Sequence, residues 1–210
     1  MYIKTDSRIT IITGHYGAGK TNFAINSALH LKSKNPAEKV AIADLDIVNP
    51  YFRTAEYKKL IEEKGIKLAV SDYARGTLDV PSVNLDIRAE TAQNDRLIID
   101  VGGDPEGARV LGRFASLIQE HDYEMIYVIN HYRALTETAG QAVEIMREIE
   151  NICNLKCTAL FNNSHLGKET TREVIENSLP FADEVARMTA LPLIELDFPI
   201  EVYVKPVWDV

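Results

Sequence analysis

The sequence predicts a doubly wound α/β domain, a mostly parallel sheet flanked by helices on both faces, and three observations carry that prediction. Short apolar runs rich in β-branched residues recur over residues 9–13, 40–43, 97–101, 125–129, 158–161 and 193–196. Segments with helical spacing separate them, as in Ala108, Leu111, Ala115 and Ile118, or Ala139, Val143, Met146 and Ile149. The strand runs are nearly continuous, as expected when both faces of a sheet are covered, and parallel neighbours need the crossovers that helices supply. A chain of 210 residues with 46% hydrophobic content suffices for one core, so residues 1–210 are read as a single domain.

The first strand, 9–13, runs directly into Gly14-His15-Tyr16-Gly17-Ala18-Gly19-Lys20-Thr21, and an amphipathic helix with Phe23, Ala24, Ala28 and Leu31 follows. This is the G-x-x-x-x-G-K-[ST] pattern in its required strand–loop–helix context. Its glycines let successive N–H groups turn inward around a phosphate chain, and the helix adds its positive N-terminal end. Residues Gly14 to Asn22 are therefore the expected nucleotide cradle. Lys20 is expected to bridge the β- and γ-phosphates, and the Thr21 hydroxyl to ligate Mg2+, a hard cation that prefers oxygen.

The second strand, 40–43, ends in Asp44-Leu45-Asp46, where ligands of open α/β sheets gather. Asp44 is expected near the metal or Lys20. Asp46 either orients the water that attacks the γ-phosphate or caps the turn into Asn49-Pro50. Residues 71–95 read as a short strand over 83–87 or as an exposed excursion containing Gly76 and Pro81. The strand 97–101 carries Asp100 before Gly102-Gly103, a Walker B pattern in which Asp100 holds magnesium through a water and Gly103 offers an N–H to the γ-phosphate. Asp104 then caps a helix with Pro105 in its first turn. The strand 158–161 leads to Asn162, read either as a base contact or as a turn residue.

With these motifs in order, the chain resembles the MinD/ParA and nitrogenase-iron-protein group (SIMIBI class) of P-loop ATPases, which includes metallocentre-maturation ATPases and dethiobiotin-synthetase-like enzymes. The resemblance also rests on Asn49-Pro50, Ala159-Leu160-Phe161-Asn162, Leu191-Pro192 and Asp197-Phe198-Pro199. It implies a P-loop NTPase fold, an adenine contact from Asn162, backbone around 197–201 closing over the base, and a homodimer. Many members carry a second lysine just after the first glycine of the loop, where this chain has His15. Arg53, Arg75, Arg109 and Arg113 are the candidate replacements, with Arg53 ranked first because it closely follows Asp46.

A guanine reader needs a carboxylate acceptor, and Asn162-Asn163-Ser164-His165 lacks one, so ATP is expected over GTP. The expected function is a slow, partner-stimulated, magnesium-dependent ATP hydrolase acting as a nucleotide-driven switch or assembly factor, with a protein client. A small-molecule ligase or kinase is the alternative, its acceptor pocket built from 71–95 and the loops beyond Asp100 and Asn130. A non-hydrolysing ATP-binding module is the third reading.

A net charge of −8 argues against nucleic acid. The polar start, Met1 to Arg8, and the lack of a run of about 18 apolar residues argue against a signal or a membrane span. The C-terminal decapeptide contains Pro206 and two acids, Glu201 and Asp209, and does not read as a basic amphipathic helix. A cytoplasmic location is expected. Cys153 and Cys157, spaced C-x-x-x-C, are read as unreactive thiols or, across a dimer, as a metal site.

Overall fold

A computed structural model of the protein describes residues 7–46, 58–70 and 86–201. Six parallel strands form one sheet in the order β3-β2-β4-β1-β5-β6. They are β1 (Ile9–Gly14), β2 (Val40–Leu45), β3 (Ile66–Val70), β4 (Arg96–Val101), β5 (Tyr123–Ile129) and β6 (Ala159–Asn162). The helices are α1 (Lys20–Lys34), α2 (Lys58–Glu63), α3 (Ile87–Gln93), α4 (Pro105–Gly112), α5 (Ala115–Gln119), α6 (Ala139–Cys153) and α7 (Arg172–Thr189). This is the doubly wound α/β architecture anticipated above.

The continuous apolar strands divide their side chains between two cores. On one face Ile12, Ile42, Ile98, Ile126 and Phe161 pack against Phe23, Ala24 and Ala28 of α1. On the other, Ile11, Ala43, Ile99, Tyr127 and Leu160 meet Leu111 of α4, Val143 and Met146 of α6 and Phe181 of α7. Burying one such aliphatic side chain stabilises the fold by about 1.5–3 kcal/mol, so the two layers hold the central strands rigidly. The Tyr127 hydroxyl, fully buried, donates to the Ala142 carbonyl at 2.9 Å, which satisfies the one polar group its ring carries into the core.

Several elements depart from the sequence reading. β3 and α2 carry no strong signal, yet β3 pairs with β2 from Val40↔Ile66 to Asp44↔Val70. Ile87 opens α3 and is not part of a strand: the Asp86 carboxylate accepts from Ala89 N–H at 3.0 Å and caps the helix. Residues 83–85 lie outside the described residues. The apolar stripe from Ala108 to Ile118 is split into α4 and α5. Residues 193–196 do not form a strand: a single bridge joins Leu193 to Leu160, and Ile194 N–H donates to the Leu160 carbonyl at 2.9 Å. Asp197 then pairs with Lys34 at 2.7 Å and His30 at 3.0 Å, drawing the chain onto α1.

The candidate site residues lie at the carboxyl end of the sheet. β1 lies between β4 and β5, and register places Asp100 beside Ile12 and directly beside Asp44. The loops after β1, β4, β5 and β6 therefore start there, beside Asp46 at the tip of β2, where ligands of open α/β sheets bind.

Candidate functional site

Gly14 ends β1 and the chain turns through His15–Gly19 before α1 begins at Lys20. Gly19, the residue before the helix, has φ 87°, a left-handed conformation that side chains rarely adopt. A Cβ there would also stand 2.3 Å from Asn163 Nδ2. No acidic residue occupies the first turn of α1. The helix itself therefore places no carboxylate at its positive end, the end at which anions are stabilised.

Lys20 is buried, and its ammonium donates to the His15 carbonyl at 3.2 Å, folding back inside the loop. Burial pulls its pKa down, while Asp100, Asp46 and Asp104 act in the opposite direction. Asp100, 1% exposed, is the most deeply buried of these acids. Burial pushes its pKa up to about 7, against the Thr21 hydroxyl and Lys20, which favour ionisation. Thr21 is near enough to exert that effect, yet neither Asp100 oxygen has a hydrogen-bond partner among the described residues. An orphaned buried carboxylate beside a threonine hydroxyl is the donor set of a hard cation. Among the described residues no cluster of three or more His, Cys, Asp or Glu could cage a metal. Magnesium takes one or two protein oxygens and completes its shell with water and phosphate.

Asp44 Oδ1 accepts from Asp46 N–H at 3.0 Å, so the Asp44-Leu45-Asp46 turn is tied to the tip of β2. Asp46 reaches towards β4: a Cβ on Gly102 would lie 3.2 Å from Asp46 Oδ1. Gly103 touches the phosphate loop so closely that a Cβ would stand 2.6 Å from Tyr16 N and 2.9 Å from the His15 carbonyl carbon. Asp104 is anchored, accepting from Gly107 N–H at 2.8 Å as the cap of α4. Lys20, Asp44, Asp46, Asp100 and Gly103 are thus gathered around one loop. Asn49, Pro50, Arg53 and Arg75 lie outside the described residues. Arg109 is exposed and paired with Glu106, and Arg113 is exposed at the end of α4.

Two residues the sequence reading passed over touch the loop directly. Arg133, in the turn after β5, donates from Nε to the Gly17 carbonyl at 2.9 Å and packs against Gly17. Asn163 donates from Nδ2 to the Ala18 carbonyl at 2.7 Å. The amide of Asn162 is spent elsewhere: it donates to Ser178 Oγ of α7 at 3.0 Å and accepts from Ser164 Oγ at 2.6 Å. Strand parity separates the two. Phe161 stacks on Phe23 of α1 with ring centroids 4.5 Å apart, and Asn163, two residues on, shares that side, whereas Asn162 follows Leu160 to the α7 side. The backbone of 197–201 lies along α1, where Asn26 accepts from Glu201 N–H at 3.0 Å and donates to the Glu201 carbonyl at 2.8 Å.

Beside the loop, a cleft of about 390 Å³ opens between α4 and α6, lined by His15, Tyr16, Asp46, Gly103, Asp104, Pro105, Leu135, Ile145, Glu148, Ile149 and Ile152. Cys153 and Cys157 are buried and unpaired, and burial raises both thiol pKa values.

No known family model matches the chain, nor does any curated protein sequence. Solved structures do share its fold. The signal recognition particle receptor FtsY from Elizabethkingia anophelis superposes with a TM-score of 0.54 over 95% of this chain at 17% identity. FlhF complexed with GMPPNP and magnesium gives 0.54 over 94% at 11%. The signal recognition particle 54 kDa protein from Aeropyrum pernix in complex with GDP gives 0.56 over 93% at 18%. The chain spans 60%, 68% and 42% of those proteins, respectively. The chain therefore shares the doubly wound P-loop fold of these proteins. The narrower MinD/ParA likeness rests on the sequence motifs alone.

Proposed function

We propose that the protein is a magnesium-dependent nucleoside-triphosphate hydrolase working as a nucleotide-driven switch or assembly factor, with ATP as its nucleotide. One observation carries this reading: buried Lys20 and buried Asp100, with Thr21 beside it, converge at a loop that ends in a helix with no acidic residue in its first turn. The loop amides and Lys20 hold the phosphates. Thr21 and Asp100, with Asp44 behind them, would hold magnesium, which when bound would neutralise charge on phosphate oxygens. Asp46 orients the attacking water, and Gly103 N–H reports the γ-phosphate to the chain that continues into α4. Because Gly103 and Asp46 follow the paired strands β4 and β2 and both line the space beside the loop, gain or loss of one phosphate alters both segments together.

Adenine is favoured because the chain beyond β6 runs Asn163-Ser164-His165-Leu166, with no carboxylate to accept from guanine N1–H. Guanine nucleotide is the second reading, supported by the GMPPNP and GDP bound in the FlhF and signal recognition particle structures. The missing loop lysine at His15 leaves a homodimer without its usual cation across the interface, and Arg133 supplies one to the loop from the same chain. The test is calorimetric titration with ATP and GTP analogues in magnesium, with γ-phosphate release measured for wild type, Lys20→Ala and Asp46→Asn. Equal rates in all three proteins would remove the hydrolase mechanism, and tighter binding of the guanine analogue would move the assignment to GTP.

A further inference from the structure

The α4/α6 cleft is more than an edge of the nucleotide site. Its far wall is apolar, made by Ile145, Ile149 and Ile152 of α6 with Pro105 at the start of α4 and Leu135 at the rim. Its near end is polar and belongs to the phosphate loop: His15, Tyr16, Asp46, Gly103 and Asp104. A volume of about 390 Å³ lies within the ordinary range for small-molecule sites, and an apolar body with a few convergent polar groups is their usual composition. Leu135 overhangs this space while 62% exposed and with φ 70°, a conformation unfavourable for a γ-branched side chain. Its turn is fixed from both ends: Arg133 grips the Gly17 carbonyl, and the Thr136 hydroxyl donates to the Asn130 carbonyl at 2.8 Å.

Charge then selects the head group. Asp46, Asp104 and Glu148 line the cleft, and His15 is its one potentially cationic side chain among the lining residues. Burial and neighbouring Lys20 both lower the His15 pKa and so favour the neutral imidazole. A carboxylate ligand would meet three acids, and a triphosphate beside it would add further negative charge.

We infer that the α4/α6 cleft is a second binding site, for a small molecule with an apolar body and a primary amine head lying next to the γ-phosphate end of the loop. The inference rests on the nucleotide assignment proposed above, because the triphosphate supplies part of the attraction. It narrows the acceptor readings as well: amines fit this cleft, and carboxylic acids do not. Ligand and nucleotide share Asp46 and Gly103 as walls, so each raises the affinity of the other by the same factor.

The test titrates the full chain, loaded with magnesium and either a non-hydrolysable ATP analogue or ADP, with a set of aliphatic and arylalkyl primary amines and their matched carboxylates. Ligand-observed NMR reads saturable binding. Amines are expected to bind more tightly than the matched acids, and more tightly with the triphosphate analogue than with ADP. Ile145→Trp, which fills the cleft from a half-buried position, abolishes amine binding and leaves nucleotide affinity unchanged. Glu148→Gln, an exposed change that poses no folding problem, weakens amine binding by roughly twofold to fivefold. Nucleotide binding with no amine bound, or acids binding as well as amines, or equal amine affinity in the two nucleotide states, overturns the inference and leaves the hydrolase reading standing. Failure of the folded protein to bind any nucleotide overturns that reading instead.

Discussion

Replacing Gly103 by alanine tests the contact on which the switch reading depends. The added Cβ would stand 2.6 Å from Tyr16 N, 2.8 Å from Lys20 Nζ and 2.9 Å from the His15 carbonyl carbon. The lysine end can rotate aside. The two backbone atoms cannot, because they are held between Gly14 at the tip of β1 and the start of α1. The loop must therefore draw back from the turn after β4, and its amides leave the positions that grip phosphate. Overpacking by one methyl in a tight site costs about 1–3 kcal/mol. Charged to the nucleotide complex, that is a loss of about 5-fold to 140-fold in affinity. Gly140→Ala is the control, since nothing lies within 4 Å of a Cβ there and the residue sits in the first turn of α6. Calorimetry with a non-hydrolysable analogue and magnesium reads the affinity, and thermal unfolding of the free proteins reads how much of the cost falls on the fold. A folded Gly103→Ala protein with wild-type affinity would show that the turn and the loop do not meet in the nucleotide state, and the sensing role assigned to Gly103 would fall.

Arg133→Ala is expected to weaken nucleotide binding by roughly tenfold, because it removes a charged hydrogen bond to the loop, with Arg133→Lys intermediate; the same titration checks both. In nucleotide-free protein, the Asp100 pKa of about 7 against an ordinary 3.8 means that its contribution to stability is fully present below about pH 4 and is lost as pH rises through 7. Urea unfolding from pH 4 to 8 without magnesium should show this decline, and Asp100→Asn should flatten it. Cys153 and Cys157 should resist a disulfide reagent at pH 8 in the native state and react fully on unfolding, and rapid native labelling would contradict their burial.

The phosphate loop and both acidic strand ends are legible in the sequence because the same residues satisfy local and chemical requirements at once. A buried parallel strand must be apolar, its carboxyl end is where the sheet opens, and Asp44 and Asp100 stand there in adjacent register. β3 hides for the opposite reason. It is an edge strand with exposed Lys67 breaking the apolar run, a pattern that protects an edge and erases the signal. The break between α4 and α5 is invisible to periodicity because both halves keep the apolar stripe; Gly112, the last residue of α4, packs so closely on α6 that a Cβ would stand 3.1 Å from the Ile152 carbonyl. Arg133 belongs to no motif, since its role is set by the arrangement of β1 and β5 as neighbours and not by sequence spacing. Asn163 was within reach of strand parity: Phe161 is the larger apolar residue and the one suited to the α1 face, so the amide two residues on is the one to follow.

The charge around the loop also dictates how it binds. Asp44 and Asp100 are buried at the strand ends, and Asp46 and Asp104 act on the same ammonium, while Lys20 and Arg133 are the cations in contact with the loop backbone. A triphosphate brought into this setting alone adds negative charge to a site already rich in carboxylates, and the Asp100 proton is the cheapest relief available to the empty protein. A divalent cation changes the balance, because it pairs with Asp100 and the phosphate oxygens together and expels the proton. Nucleotide affinity should therefore depend steeply on magnesium, and binding near pH 6.5 should release a proton. Titrations in buffers of different ionisation enthalpy measure that release. Removal of magnesium by EDTA with no loss of affinity would mean that the loop amides and Lys20 hold the nucleotide unaided, and that Asp100 is not a metal ligand.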